Sequence, residues 1–323
     1  MRRTTLTSFK RGFTLLEVVF VITILGIIAS IGASLIAQVY ESYIVQRALY
    51  RTSAKAEIAA LQIANRLTYR ISSAVIGRKL DGTYLPLDQV PDETYKVLEW
   101  IGYDNDSFTA GDMSSATLAN RVPGWSGFCD VDSTDTNKSR ISTPGSDLNK
   151  VNAIIGKLSN SSKTIGDAAI IFAGHEYNST KNYIANCMGF TDSSCISPIN
   201  SIVSATVMTL SDDNNSKVMT DQYKLAWSAY AVVPTRVTGS ALTDRGFKSS
   251  DMIYDLKLYY NYQPWNNAPS SYADANVPNS TLVTNVRSFR FVGKGDTVRF
   301  KICVAEAIGD GNITSCKEKA VIR

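Results

Sequence analysis

The stretch "KRGFTLLEVVFVITILGIIA", residues 10–29, sets one acid, Glu17, into an apolar run that starts directly after a basic patch and a glycine. From Val18 to Ala37 there are twenty residues with neither charge nor proline. At about 1.5 Å per residue, a helix of that length covers the roughly 30 Å hydrocarbon core of a bilayer. The basic residues precede the run, and Lys/Arg excess marks the cytoplasmic side, so the chain after residue 40 is expected to face outward, into a bacterial periplasm. A cleaved secretory signal is the simpler competitor, with Gly32, Ala33 and Ser34 as its small exit residues. Against it stand the length of the run, beyond the roughly 7–15 residues usual for such signals, and the acid near its start. A carboxylate inside a spanning segment costs a few kcal/mol, so Glu17 either lies at the membrane edge or has a partner.

The net charge of +4 suggests nucleic-acid binding until it is placed along the chain. Arg2, Arg3, Lys10 and Arg11 supply +4 by themselves, and Glu41 to Lys79 adds +5 through seven bases and two acids. With Glu17 contributing −1, residues 80–323 therefore carry −4. A mildly acidic body lacks the footprint that phosphate backbones require, so direct nucleic-acid binding is not expected.

The order base, Gly12, Phe13, Thr14, Leu15, Leu16, Glu17 and then a long apolar run resembles the processing signal of type IV prepilins and type II secretion pseudopilins. The resemblance covers about 25 residues and implies a sequence of events. Prepilin peptidase cuts after Gly12, Phe13 becomes the N-methylated first residue, and Glu17 meets the new α-amino group of a neighbouring subunit during assembly. Physically, such a pair removes the penalty of a lone charge in lipid and exists only between subunits. The implied partners are prepilin peptidase, other pilins or pseudopilins through the N-terminal helix, and an inner-membrane assembly platform. Many major pilins kink this helix at a proline, whereas this chain offers only Gly26 and Gly32.

Beyond Ala37 the sequence is helix-compatible to about Ile76, with Ile58, Leu61, Ala64, Leu67, Ile71 and Val75 spaced as one apolar stripe and Gly77 as the stop. That predicts a helix of roughly 60 residues, about 90 Å long, whose stripe packs on the protein's own sheet while Ile44 and Leu49 meet other subunits. The expected organisation is a leader over 1–12, a transmembrane half-helix over 13–37, an amphipathic half over 38–79 and a β-rich head over 80–323. Residues 80–165 read as a loop-rich insertion. Strands are expected at 167–173, 202–210, 224–233, 252–262, 282–292, 297–305 and 316–322 from their β-branched and aromatic content. The fold class is α+β, a long N-terminal helix on an antiparallel sheet, resembling most closely the minor pseudopilin J and minor pilin W subgroups.

Five cysteines fall into two close pairs and a single residue. In an oxidising compartment Cys187 with Cys195, and Cys303 with Cys316, are expected to form disulfides, leaving Cys129 as a buried or free thiol. The last hairpin admits two registers. A turn at Gly309-Asp310 sets Cys303 opposite Cys316, which is the expected one, whereas a turn at Asp310-Gly311 sets Cys303 opposite Glu318 and forbids the bridge.

Catalytic signatures are missing from the sequence. His175 is the one histidine, no C-x-x-C, P-loop, G-x-S-x-G or H-E-x-x-H occurs, and the Asp/Asn-rich stretches at 81, 212 and 310 read as turns rather than calcium loops. Neither enzyme activity, nor a metal, nor a cofactor is expected. Asn137, Asn178, Asn214 and Asn312 each lie in N-x-S/T with an acid two positions earlier, resembling extended bacterial glycosylation acceptors, although a surface rich in Asn, Asp and Ser produces such strings by chance. Two functional classes follow: a minor pilin or pseudopilin that starts or caps a periplasmic filament, or an adhesin or substrate-receptor head on the same anchor, including one serving DNA uptake.

Overall fold

The computed structural model describes residues 12, 14–112, 114–172, 187–211, 219–266, 269–309 and 311–322. The chain divides into two compact units, Met1–Arg51 and Thr52–Arg323. A single helix, α1, covers Leu15–Thr68, with no proline in it and no glycine after Gly32 to interrupt it.

Among the described residues of the second unit thirteen strands follow α1. They are β1 Arg70–Arg78, β2 Tyr84–Pro86, β3 Val97–Gly102, β4 Arg140–Ser142, β5 Ala169–Phe172, β6 Ser197–Ser204 and β7 Val207–Leu210, then β8 Tyr223–Ala226, β9 Ser228–Arg236, β10 Tyr254–Tyr262, β11 Asn279–Lys294, β12 Thr297–Ile308 and β13 Gly311–Val321. Eight make one sheet in the order β13-β12-β11-β10-β9-β3-β1-β2, and five make a second in the order β4-β7-β6-β5-β8. The pairings are antiparallel. The architecture is α+β and pilin-like, a long N-terminal apolar helix followed by antiparallel sheets.

The face that α1 turns to the large sheet is built from small residues. Ala56, Ala59, Ala60, Ile63 and Leu67 are buried and pack with Leu98, Trp100, Val232, Leu256 and Phe300. Alanine lets the helix backbone approach the sheet closely, and Ile63 and Leu67 fill the remaining space. This corrects the expected stripe. Ile58 and Leu61 are exposed, at 56% and 44%, because the narrower alanine face wins the contact with the sheet.

The end of α1 also differs from expectation. The helix stops at Thr68, and Ile71 and Val75 belong to β1, which pairs with β2 and β3. Spacing by three and four residues does not separate a helix from an irregular strand. Here a register break between Arg70 and Val75 places Ile71 in one core and Val75 in another, so burial on both faces favours the β-branched strand. Gly77 is therefore not a helix stop. A Cβ there would stand 2.6 Å from Val90 Cγ2, and the missing side chain lets the neighbouring loop pack down.

Arg70 fixes this transition. Its guanidinium is buried and donates to the carbonyl of Leu67 at 2.8 Å in the last turn of α1, to that of Val321 at 3.3 Å at the end of β13, and to that of Asp296 between β11 and β12. One cation thus ties the helix terminus to a corner of the large sheet.

Residues 80–165 are more ordered than a loop-rich insertion. β3 lies inside the large sheet between β1 and β9, and helix Leu148–Leu158 buries Leu148, Val151 and Ile155 against residues of the small sheet such as Ile170, Met208 and Leu225. β3 holds a fully buried acid, Glu99. It accepts from Arg78 Nε at 2.7 Å and from the Tyr262 hydroxyl at 2.8 Å. Burial pushes the Glu99 carboxyl up, and the Arg78 guanidinium opposes that rise.

Two expected strands are each divided. The stretch 202–210 is the hairpin β6–β7. The stretch 224–233 is β8 in the small sheet and β9 in the large one, separated by Trp227. Asn261, with φ 61°, donates its backbone N–H to Ser228 Oγ across a break in the β9–β10 register, which satisfies the backbone where the chain changes sheet.

Candidate functional site

The first unit carries the N-terminal chemistry. Phe13 lies outside the described residues, while Gly12 is exposed and a Cβ on it would meet nothing within 4 Å. Among the described residues nothing around position 12 sets a steric demand for glycine. Thr14 begins the helix. Its Oγ1 accepts from the Glu17 backbone N–H at 3.3 Å, and its carbonyl accepts from Val18 at 3.2 Å. Thr14-Leu-Leu-Glu17 is the S/T-x-x-E pattern of a helix start, with the threonine half of the capping arrangement formed. The capping role of Thr14 is legible in the sequence only as this four-residue pattern, Thr14-Leu15-Leu16-Glu17. Glu17 is exposed in the first turn, where the positive end of the helix dipole favours a carboxylate.

From Leu15 to Ile36 the large apolar side chains of α1 are exposed, from 44% at Val18 to 85% at Leu15. The segment is long and apolar enough to cross a membrane, and none of its most apolar window is buried. Two of its hydroxyls turn inward on the helix. Thr23 Oγ1 donates to the carbonyls of Val19 at 3.0 Å and Phe20 at 2.9 Å, and Ser34 Oγ donates to Ile31 at 2.8 Å. In lipid, where water cannot serve them, this satisfies the polar groups internally. The segment fits membrane anchoring.

The remaining candidates are in the second unit. Cys187 is bonded to Cys195 and Cys303 to Cys316. Ile308 pairs with Gly311, the register that sets Cys303 opposite Cys316. Cys129 is a buried free thiol pushed up to about 11 by burial, with Asp130 and Asp221 adding to the rise. Asn137 is exposed, its Oδ1 accepting from the Ser139 backbone N–H at 3.0 Å. Asn312 is exposed, and its Nδ2, the atom a glycan would take, donates to Asp251 at 3.1 Å. Asn178, Asn214 and His175 lie outside the described residues. Among the described residues no three His, Cys, Asp or Glu side chains converge to hold a metal, and Asp81 is occupied as a turn residue, accepting from Thr83 N–H at 2.9 Å.

Residues 7–33 match the family model of the prokaryotic N-terminal methylation motif. The match begins in the basic patch, takes in Gly12, Thr14 and Glu17, and ends within the apolar part of α1. No curated protein and no solved structure matches the chain. The chain thus carries a prokaryotic N-terminal methylation motif at the head of an exposed apolar helix that is followed by antiparallel sheets.

Proposed function

We infer that this chain is a minor pilin or pseudopilin, cut after Gly12, N-methylated at Phe13, and inserted through α1 into a filament that it helps to start or cap on an inner-membrane assembly platform. The observation that carries the reading is the coincidence of the methylation motif with a helix whose apolar surface is exposed over its first twenty or so residues. The cut leaves Glu17 four residues from the new N-terminus, close to the depth at which an α-amino group of an adjacent subunit enters the bilayer. An unpaired carboxylate there is costly, so the pair forms as subunits associate. The size of the chain and its β-rich head support the subgroup reading, pseudopilin J or minor pilin W. A head of this kind belongs in the periplasm.

The test has two parts. Intact mass of the membrane-extracted protein is expected to equal residues 13–323 plus one methyl group, less the hydrogens of its disulfides. Glu17→Ala is expected to leave that mass change in place while sharply reducing recovery of the protein with sheared filaments or with the cross-linked assembly. Retention of residues 1–12, or normal incorporation of Glu17→Ala, refutes the reading.

A further inference from the structure

A cavity of about 550 Å³ lies within the second unit, beside the last turns of α1. Its volume falls in the roughly 300–1,000 Å³ range of ligand sites. Three tyrosine rings border it, Tyr69, Tyr103 and Tyr230, together with the side chains of Gln62, Asn65 and Asn105. One cation, Arg66, and one anion, Asp106, complete its ionisable lining. We propose that this cavity is a binding site for a neutral, hydroxyl-rich ligand, a short oligosaccharide.

The chemistry of the lining selects that class. Opposite charges on Arg66 and Asp106 leave the lining without a net charge, so it selects neither an anion nor a cation as such. Among the described residues Leu258 and Leu282 are the only aliphatic side chains on the wall, too few to hold a purely apolar molecule. The Tyr69 ring, 39% exposed, suits the flat C–H surface of a sugar ring, and side-chain amides offer both donors and acceptors to hydroxyl groups. Among the described residues the amides of Gln62, Asn65 and Asn105 and the carboxylate of Asp106 make no hydrogen bond within the chain.

The aromatic walls are held in place before any ligand arrives. Tyr69 and Tyr103 meet edge to face, 5.7 Å between centroids at 88°, and the Tyr103 backbone N–H donates to the Tyr69 carbonyl at 2.9 Å. Tyr230 stacks on buried Trp100 at 5.7 Å and carries the Arg66 guanidinium 5.3 Å from its centroid. Gly102 makes room for this arrangement, since a Cβ there would stand 2.8 Å from Tyr230 Cε2. Rings fixed by neighbours lose little freedom on binding, which favours affinity for a weakly held, solvated ligand.

The site is tested on the full chain in micelles of a detergent without a sugar head group. Maltotriose, cellotriose and the N-acetylglucosamine trimer serve as probes in saturation-transfer NMR and calorimetry. At least one is expected to bind, with Tyr69→Ala and Asn105→Ala each weakening it by about tenfold, the scale of one lost aromatic or polar contact. Tyr69→Phe, which keeps the ring, is expected to stay within about threefold of the parent, since it loses only a hydroxyl contact worth well under a full hydrogen bond at an exposed rim. An unchanged melting profile shows that each variant is folded. Failure of all three saccharides to bind at millimolar concentration overturns the proposal. So does binding that both alanine variants leave unchanged, or capture of a proline-rich peptide in place of any saccharide.

Discussion

Replacing Arg70 by alanine tests whether one buried cation sets the junction between α1 and the large sheet. Its guanidinium is 1% exposed and donates to carbonyls in three separate places, Leu67, Asp296 and Val321. Truncation removes the cation and leaves those carbonyls facing a cavity. Hydrogen bonds to charged groups contribute about 1.5–3 kcal/mol each when measured singly, and they share one desolvation cost, so the expected loss is about 3–5 kcal/mol, the scale for breaking a buried ionic contact. For a domain of this size that corresponds to a fall of about 6–20 °C in Tm, read by near-ultraviolet circular dichroism on the full chain in micelles. Hydrogen exchange supplies the local readout. Amides in Ile63–Thr68 should lose protection more than those in the β12–β13 hairpin, because the helix end loses a bond to its last-turn carbonyl. A Tm change below about 2 °C, under 1 kcal/mol on the same scale, or protection lost evenly across the unit, would refute the pinning role.

Three further outcomes are expected. Converting both Cys303 and Cys316 to alanine reopens a loop spanning 13 residues of separation, which by chain entropy costs about 3 kcal/mol, visible as a Tm lower by about 6–12 °C. Cys129, buried with its thiol pushed up to about 11, should resist iodoacetamide at pH 8 in the folded chain and react completely in denaturant; rapid labelling of the folded chain would contradict its burial. Ile63→Ala, in the core beneath α1, should cost about 2–5 kcal/mol, whereas Ile58→Ala, 56% exposed, should change stability by no more than about 0.5 kcal/mol.

The features legible in the sequence were those with local causes. The apolar span, the acid at its start and the cysteine-bearing hairpin each depend on residues close together in the chain. Cys303 and Cys316 face one another because the turn between Ile308 and Gly311 fixes the register of everything behind it. What escaped reading depended on distant partners. Val97–Gly102 does not look like an interior strand because Glu99 interrupts it, and the acid is tolerated only through Arg78 on β1 and Tyr262 on β10. Gly77 resembled a helix stop because the side chains that press on it come from Val90 and Phe291. Trp227 divides one strand-like run because the flanking segments join different sheets. The cavity beside Tyr69 was equally hidden, since its walls come from α1 and from four or more separate segments of the head.

The distribution of side-chain size along α1 bears on assembly. A helix serving only its own head would turn its largest apolar residues to the sheet, where burying each Ile or Leu stabilises by about 1.5–3 kcal/mol. In the second unit α1 does otherwise: alanines form much of the inner face, while Ile58 and Leu61 lie outside. In the first unit Leu15 to Ile36 expose apolar surface that a bilayer accounts for, but Val39, Tyr40, Tyr43, Val45, Leu49 and Tyr50 continue that exposure past the expected span. Lipid of ordinary thickness does not reach that far along a helix rising about 1.5 Å per residue. Large apolar surface of this extent on one chain is the mark of a protein–protein contact, and on the proposed function neighbouring helices of the same kind would supply a surface that matches it in length and in chemistry. On the proposed function, therefore, substitutions at Tyr43 and Leu49 to charged residues should spare the melting of the single chain and reduce its recovery with the assembly, as is expected of Glu17→Ala; recovery equal to the parent would confine subunit contact to the membrane segment.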